Sequence, residues 1–292
     1  MTSACAPAAR GWVCRIAVLA AVLGSGAATA QDATPDRKAL RVCQDPNNLP
    51  FSNTSGDGIE NRIAEVFGKA LGLPVTYFSF PQRLAFIRNT LRYKLPGQDY
   101  PCDIVMGVPA GYDQVSVTKP YYRSTYALVV PQGRGLDAVR TPEDFLALDR
   151  ARLARLRIGI YDRSPASDWL VKHGLVDSGV PYPIMNADPA QYPGEIIEKD
   201  LAAGKIDVAI VWGPIAGYFA KRVKSPQLAV LPLHSERGVR FDYEMAMGVR
   251  YGEREWKSQV EGLLESRRTE IQAILKEFGV PLVDETFSAS KP

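Results

Sequence analysis

Residues 40–53 read Leu40-Arg41-Val42-Cys43-Gln44-Asp45-Pro46-Asn47-Asn48-Leu49-Pro50-Phe51-Ser52-Asn53. A short run of strand-forming residues enters two prolines, three asparagines and an aspartate, so a β-strand ends in a tightly turning loop. Beyond it Ile59, Ile63, Val66, Phe67, Ala70 and Leu71 recur at helical spacing, and Gly72 with Pro74 supplies the stop. The next strand is expected at 75–80, a second helix at about 82–91 and a third strand at 103–107. Strand and helix alternating in this way build parallel βαβ units, so the class is α/β.

After Tyr121-Tyr122 a strand at 127–130 meets Pro131, and the polar, glycine-bearing segment 132–142 reads as a crossing into a second unit. There the pattern restarts with a strand at 157–161, a helix opened by Ser164-Pro165 and ended by Gly174, a helix at 195–203 and a strand at 206–212. A late strand at 243–249 follows. Trp256, Val260, Leu263, Leu264, Ile271, Ile274, Leu275 and Phe278 then mark one long amphipathic helix, closed by Gly279 and Pro281. The expected organisation is a signal peptide at 1–30, the first part of lobe 1 at 31–131, lobe 2 at 132–232, and a return strand with the C-terminal helix of lobe 1 at 233–292.

The chain has 292 residues, 46% hydrophobic and 23% charged, a composition that buries a core rather than staying disordered. Lysine plus arginine (35) nearly balance aspartate plus glutamate (32), which leaves no general field for nucleic acid or an anionic membrane. Arg10 and Arg15 precede an apolar run at 16–23, and Ala28-Thr29-Ala30 is a small-x-small cleavage site, the layout of a secretory signal peptide. Its removal takes two arginines from the formal charge of +3, leaving +1. The product is expected to be exported and soluble, beginning near Gln31, with no membrane insertion. Of four cysteines, only Cys43 and Cys102 then remain, in an oxidising compartment. Two readings stand: a disulfide, or two buried thiols on parallel strands.

No nucleophile elbow, Walker loop, dinucleotide fingerprint or histidine pair at metal spacing occurs, so no enzyme, cofactor or metal is expected. His173 falls at a helix C-terminus, where an imidazolium meets the negative end of the dipole, and His234 has no identifiable partner. In an open α/β sheet ligands bind beyond the C-terminal strand ends. That rule nominates Asp45, Asn48 and Phe51 after the first strand and Pro109 and Tyr112 after the third, set against Tyr161, Ser164 and Trp212 in the second lobe. Arg83, Tyr122 and Arg123 join them as residue types that anchor interfaces, Arg83 with a planar fork for a carboxylate. For each the structural alternative is a turn, a cap, an ion pair or hinge packing.

The order of elements, with Asp45-Pro46-Asn47-Asn48-Leu49-Pro50-Phe51, Cys102-Asp103-Ile104-Val105-Met106-Gly107 and Lys119-Pro120-Tyr121-Tyr122 at matching spacing, resembles a type II periplasmic solute-binding protein. That resemblance implies two lobes, the second inserted into the first, with a hinge and an interlobe cleft. Amino-acid-binding members of that class place an arginine after the third strand, yet residues 103–118 contain no arginine or lysine. They also place an aspartate at the end of a lobe-2 strand, where Ile210-Val211-Trp212-Gly213 has none. A zwitterionic amino acid is therefore a poor ligand.

A narrower resemblance accommodates these departures. Residues 41–53, Phe80-Pro81-Gln82-Arg83, Arg88-Asn89-Thr90-Leu91, the stretch 102–113, and Lys119-Pro120-Tyr121-Tyr122-Arg123-Ser124-Thr125-Tyr126 are similar to the MoxJ/XoxJ family. The resemblance implies a non-enzymatic periplasmic accessory protein of methanol oxidation. It would assist maturation or activation of a pyrroloquinoline-quinone-dependent methanol or alcohol dehydrogenase, binding a segment of that enzyme or of its cytochrome c partner in the cleft. The alternative is a receptor delivering a small polar solute to an ABC permease.

Overall fold

The structure, a computed structural model, describes residues 37–82, 85–184, 188 and 190–289. The expected signal peptide and Arg83 lie outside the described residues. β1 (Leu40–Gln44) buries Leu40 and Val42 completely, and its loop closes into a small ladder of β2 (Asn47–Asn48) against β3 (Ser52–Asn53). α1 (Ile59–Leu71) turns Ile59, Ile63 and Phe67 to the core, and β4 (Val75–Ser79) returns parallel to β1. α2 is a single described turn, Phe86–Asn89, shorter than the expected helix. The Thr90 hydroxyl donates to Phe86 O at 2.7 Å and leaves helical geometry, which ends it there. β5 (Ile104–Pro109), β6 (Ser116–Val117) and the ten-residue β7 (Tyr122–Pro131) follow.

The second unit runs α3 (Pro142–Leu146), α4 (Arg150–Leu153), β8 (Ile158–Tyr161), α5 (Pro165–Lys172) and β9 (Gly179–Tyr182). A π-helical segment, Ile196–Leu201, stands within the helix expected at 195–203. After it come β10 (Val208–Trp212), α6 (Gly213–Arg222) and β11 (Leu228–Pro232). β12 (Asp242–Val249), α7 (Arg254–Ser266), α8 (Arg268–Glu277) and α9 (Glu285–Ala289) complete the chain. The expected single C-terminal helix is thus two. Arg267, at φ −110° and ψ 16°, breaks it, while the apolar stripe continues on both sides.

One strand organises the sheet. Residues 122–125 of β7 pair with β12, in the order β4-β1-β5-β12-β7, whereas residues 126–131 pair with β10 and β11, leading on to β8 and β9. The register changes lobes between Thr125 and Tyr126, and Leu233, Val239 and Phe241 pack in the second lobe's core. The sheet pairing therefore changes at 125/126 and 241/242, so the second unit begins six residues before and ends nine residues after the expected 132–232. Lobe 2 carries a core on each face: Leu128, Val130 and Ile210 on one, Ala127, Val129 and Val211 on the other, the two-residue alternation of a strand covered on both sides.

In lobe 1, Cys43 and Cys102 are joined as a disulfide, with Cα atoms 5.3 Å apart. Cys102 lies two residues before β5 rather than on a strand, and its Cα is within bridging distance of Cys43 on β1. Closing 59 residues in this way constrains the unfolded chain by roughly 4 kcal/mol in the chain-entropy account. The next residue, Asp103, is buried and receives Arg41 at 2.7 and 2.8 Å, Arg250 at 2.6 Å and Arg37 at 2.9 Å.

Candidate functional site

The lobe-1 wall of the cleft is built by the loop after β1. Asp45 Oδ1 accepts the Asn47 amide at 2.8 Å and Oδ2 accepts the Gln82 amide, while Ser52 Oγ donates to Asp45 O at 2.9 Å. Buried Asn61 fastens the loop to the lobe: its Oδ1 receives the amides of Asn53 and Gly58, and its Nδ2 reaches Gln44 Oε1 at 2.8 Å. Asn48 Nδ2 donates to Gln82 Oε1 at 2.7 Å. The aspartate, rather than the asparagines, shapes the turn.

The lobe-2 wall is aromatic. β8, β9 and β10 end at Tyr161, Tyr182 and Trp212, and β7 enters this lobe at Tyr126, so four neighbouring strands bring aromatic residues to one edge. Trp212 meets Tyr126 edge-on with centroids 5.5 Å apart. These residues, with Tyr192, Glu195 and Ile215 opposite Asp45, Asn47, Asn48 and Gln82, line an open cavity of about 240 Å³.

Three of the four tyrosine hydroxyls are committed. Tyr161 donates to Pro193 O at 2.5 Å, Tyr182 to Asp200 Oδ2 at 2.7 Å and Tyr192 to Glu198 Oε2 at 2.8 Å. Burial, then the neighbouring carboxylates, push all three phenols upward, Tyr192 to about 12, so they stay neutral at ordinary pH. Glu195 pairs with Lys199 at 2.6 Å. No lysine or arginine is among the described residues lining the cavity.

Of the residues nominated from sequence, Asp45, Asn48, Tyr161 and Trp212 line this cavity. Phe51 packs beside it, with Leu49, against the second lobe's apolar cluster. Pro109 and Tyr112 do not reach it: Ala110 N donates to Glu244 O at 2.8 Å, and Tyr112 packs on the cluster around the disulfide. Tyr122 is buried in the lobe-1 core. Arg123 bridges β7 to β12 through Asp242, with Nε to Oδ2 at 2.9 Å. Ser164 is buried at the start of α5 and donates to Tyr161 O at 2.6 Å. Tyr182, Tyr192 and Glu195 were missed; the strand-end rule that found Tyr161 applies equally to Tyr182.

Neither histidine reaches the cavity. His173 Nε2 lies 3.2 Å from both oxygens of Glu236, and His234 Nδ1 lies 2.8 Å from Phe287 O. Among the described residues no group of three or more His, Cys, Asp or Glu is placed to hold a metal ion, and no helix is long and apolar enough to cross a membrane.

Trp212 and Tyr218 pack against the apolar clusters of both lobes. Tyr218 stacks on Phe278 at 5.5 Å, and Lys221 Nζ donates to Glu277 O at 3.2 Å. α6 thus forms a seam with the segment after α8.

No family model matches the chain. The periplasmic binding protein XoxJ from Methylobacterium extorquens AM1 is similar at 36% identity and a TM-score of 0.66, over 85% of this chain and all of that one. MxaJ from Methlophaga aminisulfidivorans MPT shares the fold at a TM-score of 0.69 and 23% identity, over 84% of this chain and all of the other. Protein MoxJ of Paracoccus denitrificans is 28% identical over 278 residues, 90% of this chain and 96% of that protein. Two α/β lobes joined by two crossings, with a cleft between them, make up the type II periplasmic solute-binding fold that the sequence pattern resembles.

Proposed function

Because the chain belongs to the MoxJ/XoxJ family of periplasmic proteins with a solute-binding fold, we propose that it is a non-enzymatic accessory protein of methanol oxidation, acting in the periplasm. In this reading its cleft engages a segment of a pyrroloquinoline-quinone-dependent dehydrogenase, or of that enzyme's cytochrome c partner, during maturation or activation. The observation that carries the partner-binding step is the aromatic edge at Tyr126, Tyr161, Tyr182 and Trp212 facing a pre-ordered lobe-1 loop. Tyrosine and tryptophan supply large contact area at small entropic cost, and they dominate interface energetics. Inheritance of the solute-binding fold does not require inheritance of its solute.

The test removes the gene and measures dehydrogenase activity together with cofactor and metal content. Loading is expected to fall, to recover with the wild-type protein, and to recover poorly with Trp212→Ala or with Tyr182→Leu, each checked for retained fold. Equal loading and activity with and without the protein overturn the reading. The small size of the cavity favours a second reading, a receptor for a small polar solute. A dehydrogenase that loads normally in the deletion strain, together with a solute that raises the melting temperature of the protein, would establish it.

A further inference from the structure

The chemistry of the cavity is more specific than its shape. We infer that it receives an organic cation, an ammonium or guanidinium group not accompanied by a carboxylate. This rests on the reading that the cleft is a binding site and adds the class of group it takes.

Three observations on the wall agree. The first is the ring surface: Tyr126, Tyr161, Tyr182, Tyr192 and Trp212 border one cavity, and the faces of such rings attract a cation within about 6 Å. Lys199 already lies over the Tyr192 ring at 5.6 Å. The second is the hydrogen-bonding sense. Three of the four tyrosine hydroxyls donate to Pro193, Asp200 and Glu198, so they have no proton to offer an anion. The third is charge. Asp45 on one wall and Glu195 on the other bring two carboxylates, against one nearby ammonium on Lys199, and no lysine or arginine stands among the described lining residues.

The helix ends do not reverse this balance. Glu195 stands at the start of the π-helical segment, where a carboxylate offsets the positive end of the backbone dipole. α6 begins under lobe-1 backbone: a Cβ on Gly213 would lie 2.2 Å from Thr125 O and 2.5 Å from Pro281, so this end is packed shut. A ligand carboxylate would meet aromatic faces and two acids, which is why the cation must come without one.

The same chemistry is carried by a small quaternary ammonium compound and by a lysine or arginine side chain on a polypeptide, and the test separates them. The mature protein is titrated calorimetrically with choline and its neutral isostere 3,3-dimethylbutanol, and with the capped residues N-acetyl-lysine methylamide, the norleucine analogue and the glutamate analogue. At least one cation is expected to bind about tenfold or more tightly than its neutral counterpart. Glu195→Gln should remove most of that preference while leaving the neutral compound unchanged, and Trp212→Ala should weaken the cation about tenfold.

Choline bound without the lysine derivative assigns the site to a small solute, and the reverse assigns it to a polypeptide side chain; either outcome supports the inference. Equal binding of the neutral isosteres, tighter binding of the capped glutamate, or no cation bound up to about 10 mM overturns it. Dehydrogenase association is measured on the same preparations. Association retained without cation binding overturns only the present inference, whereas cation binding without association overturns only the accessory role.

Discussion

Gly107, in the strand that follows the disulfide, is left-handed at φ 67°, and a Cβ there would stand 2.5 Å from Glu60 Oε1. The missing side chain is the space that the Glu60 carboxyl fills. Burial, reinforced by the charge of Asp45, raises that carboxyl from the usual 4.5 to about 8. A raised acid favours its neutral form in the folded state, so its contribution is greatest below pH 4.5 and is lost as pH rises to about 8. Glu60→Gln should therefore lose less thermal stability than the wild type between pH 5 and 8.5. Parallel melting curves check this, and an identical decline in both proteins would refute it. Asp103 shows the opposite sign. Burial alone would raise it, but the hydrogen bonds from Arg41 and Arg250 hold it below the carboxylate range, so its contribution is lost on acidification. Asp103→Asn leaves Arg37, Arg41 and Arg250 gathered around a neutral amide and should cost about 3 kcal/mol or more in urea denaturation, with a shallower acid limb.

Among the elements, α6 is the one that ties the lobes together behind the cleft. Its Gly217 permits a backbone approach no other residue allows: a Cβ would meet Gly279 O at 1.9 Å. Gly217→Ala is expected to cost about 1–3 kcal/mol, as overpacking does, and to weaken the seam at Tyr218 and Phe278. Urea midpoints and tyrosine fluorescence read both effects. The strands and α1 were legible because two-residue and 3.6-residue periodicities survive in single stretches such as 40–43 and 59–71. The break at Arg267 was not, since Leu263, Leu264, Ile271 and Ile274 keep one helical stripe across it. Of the cavity, Asp45, Asn48, Tyr161 and Trp212 were readable from the strand-end rule. β9 hid Tyr182 because Gly179-Val180-Pro181-Tyr182 is short, proline-bearing and half-buried rather than alternating. Tyr192 and Glu195 follow a segment with no periodicity at all. The same rule overreached at Pro109 and Tyr112, since a strand end says nothing of which neighbour, here β12 and the disulfide cluster, claims the loop.

At the scale of the molecule, lobe 2 is held by two crossings that are themselves hydrogen-bonded neighbours, with Thr125 in register with Asp242. Adjacent strands stand about 4.8 Å apart, so the chain leaves lobe 1 and re-enters it at almost the same place. Residues 126–241 therefore have the geometry of a cassette: their ends are close together, and the lobe-1 sheet retains its remaining partners on excision. The cassette carries all of the aromatic edge, whereas lobe 1 contributes the polar loop around Asp45. A lineage can exchange the aromatic half of its cleft by recombination at two neighbouring points, and apart from residues that cross the cleft the main surface to be rematched is the seam of α6 with residues 277–281, where Gly217 meets Gly279, Tyr218 stacks on Phe278 and Lys221 reaches Glu277.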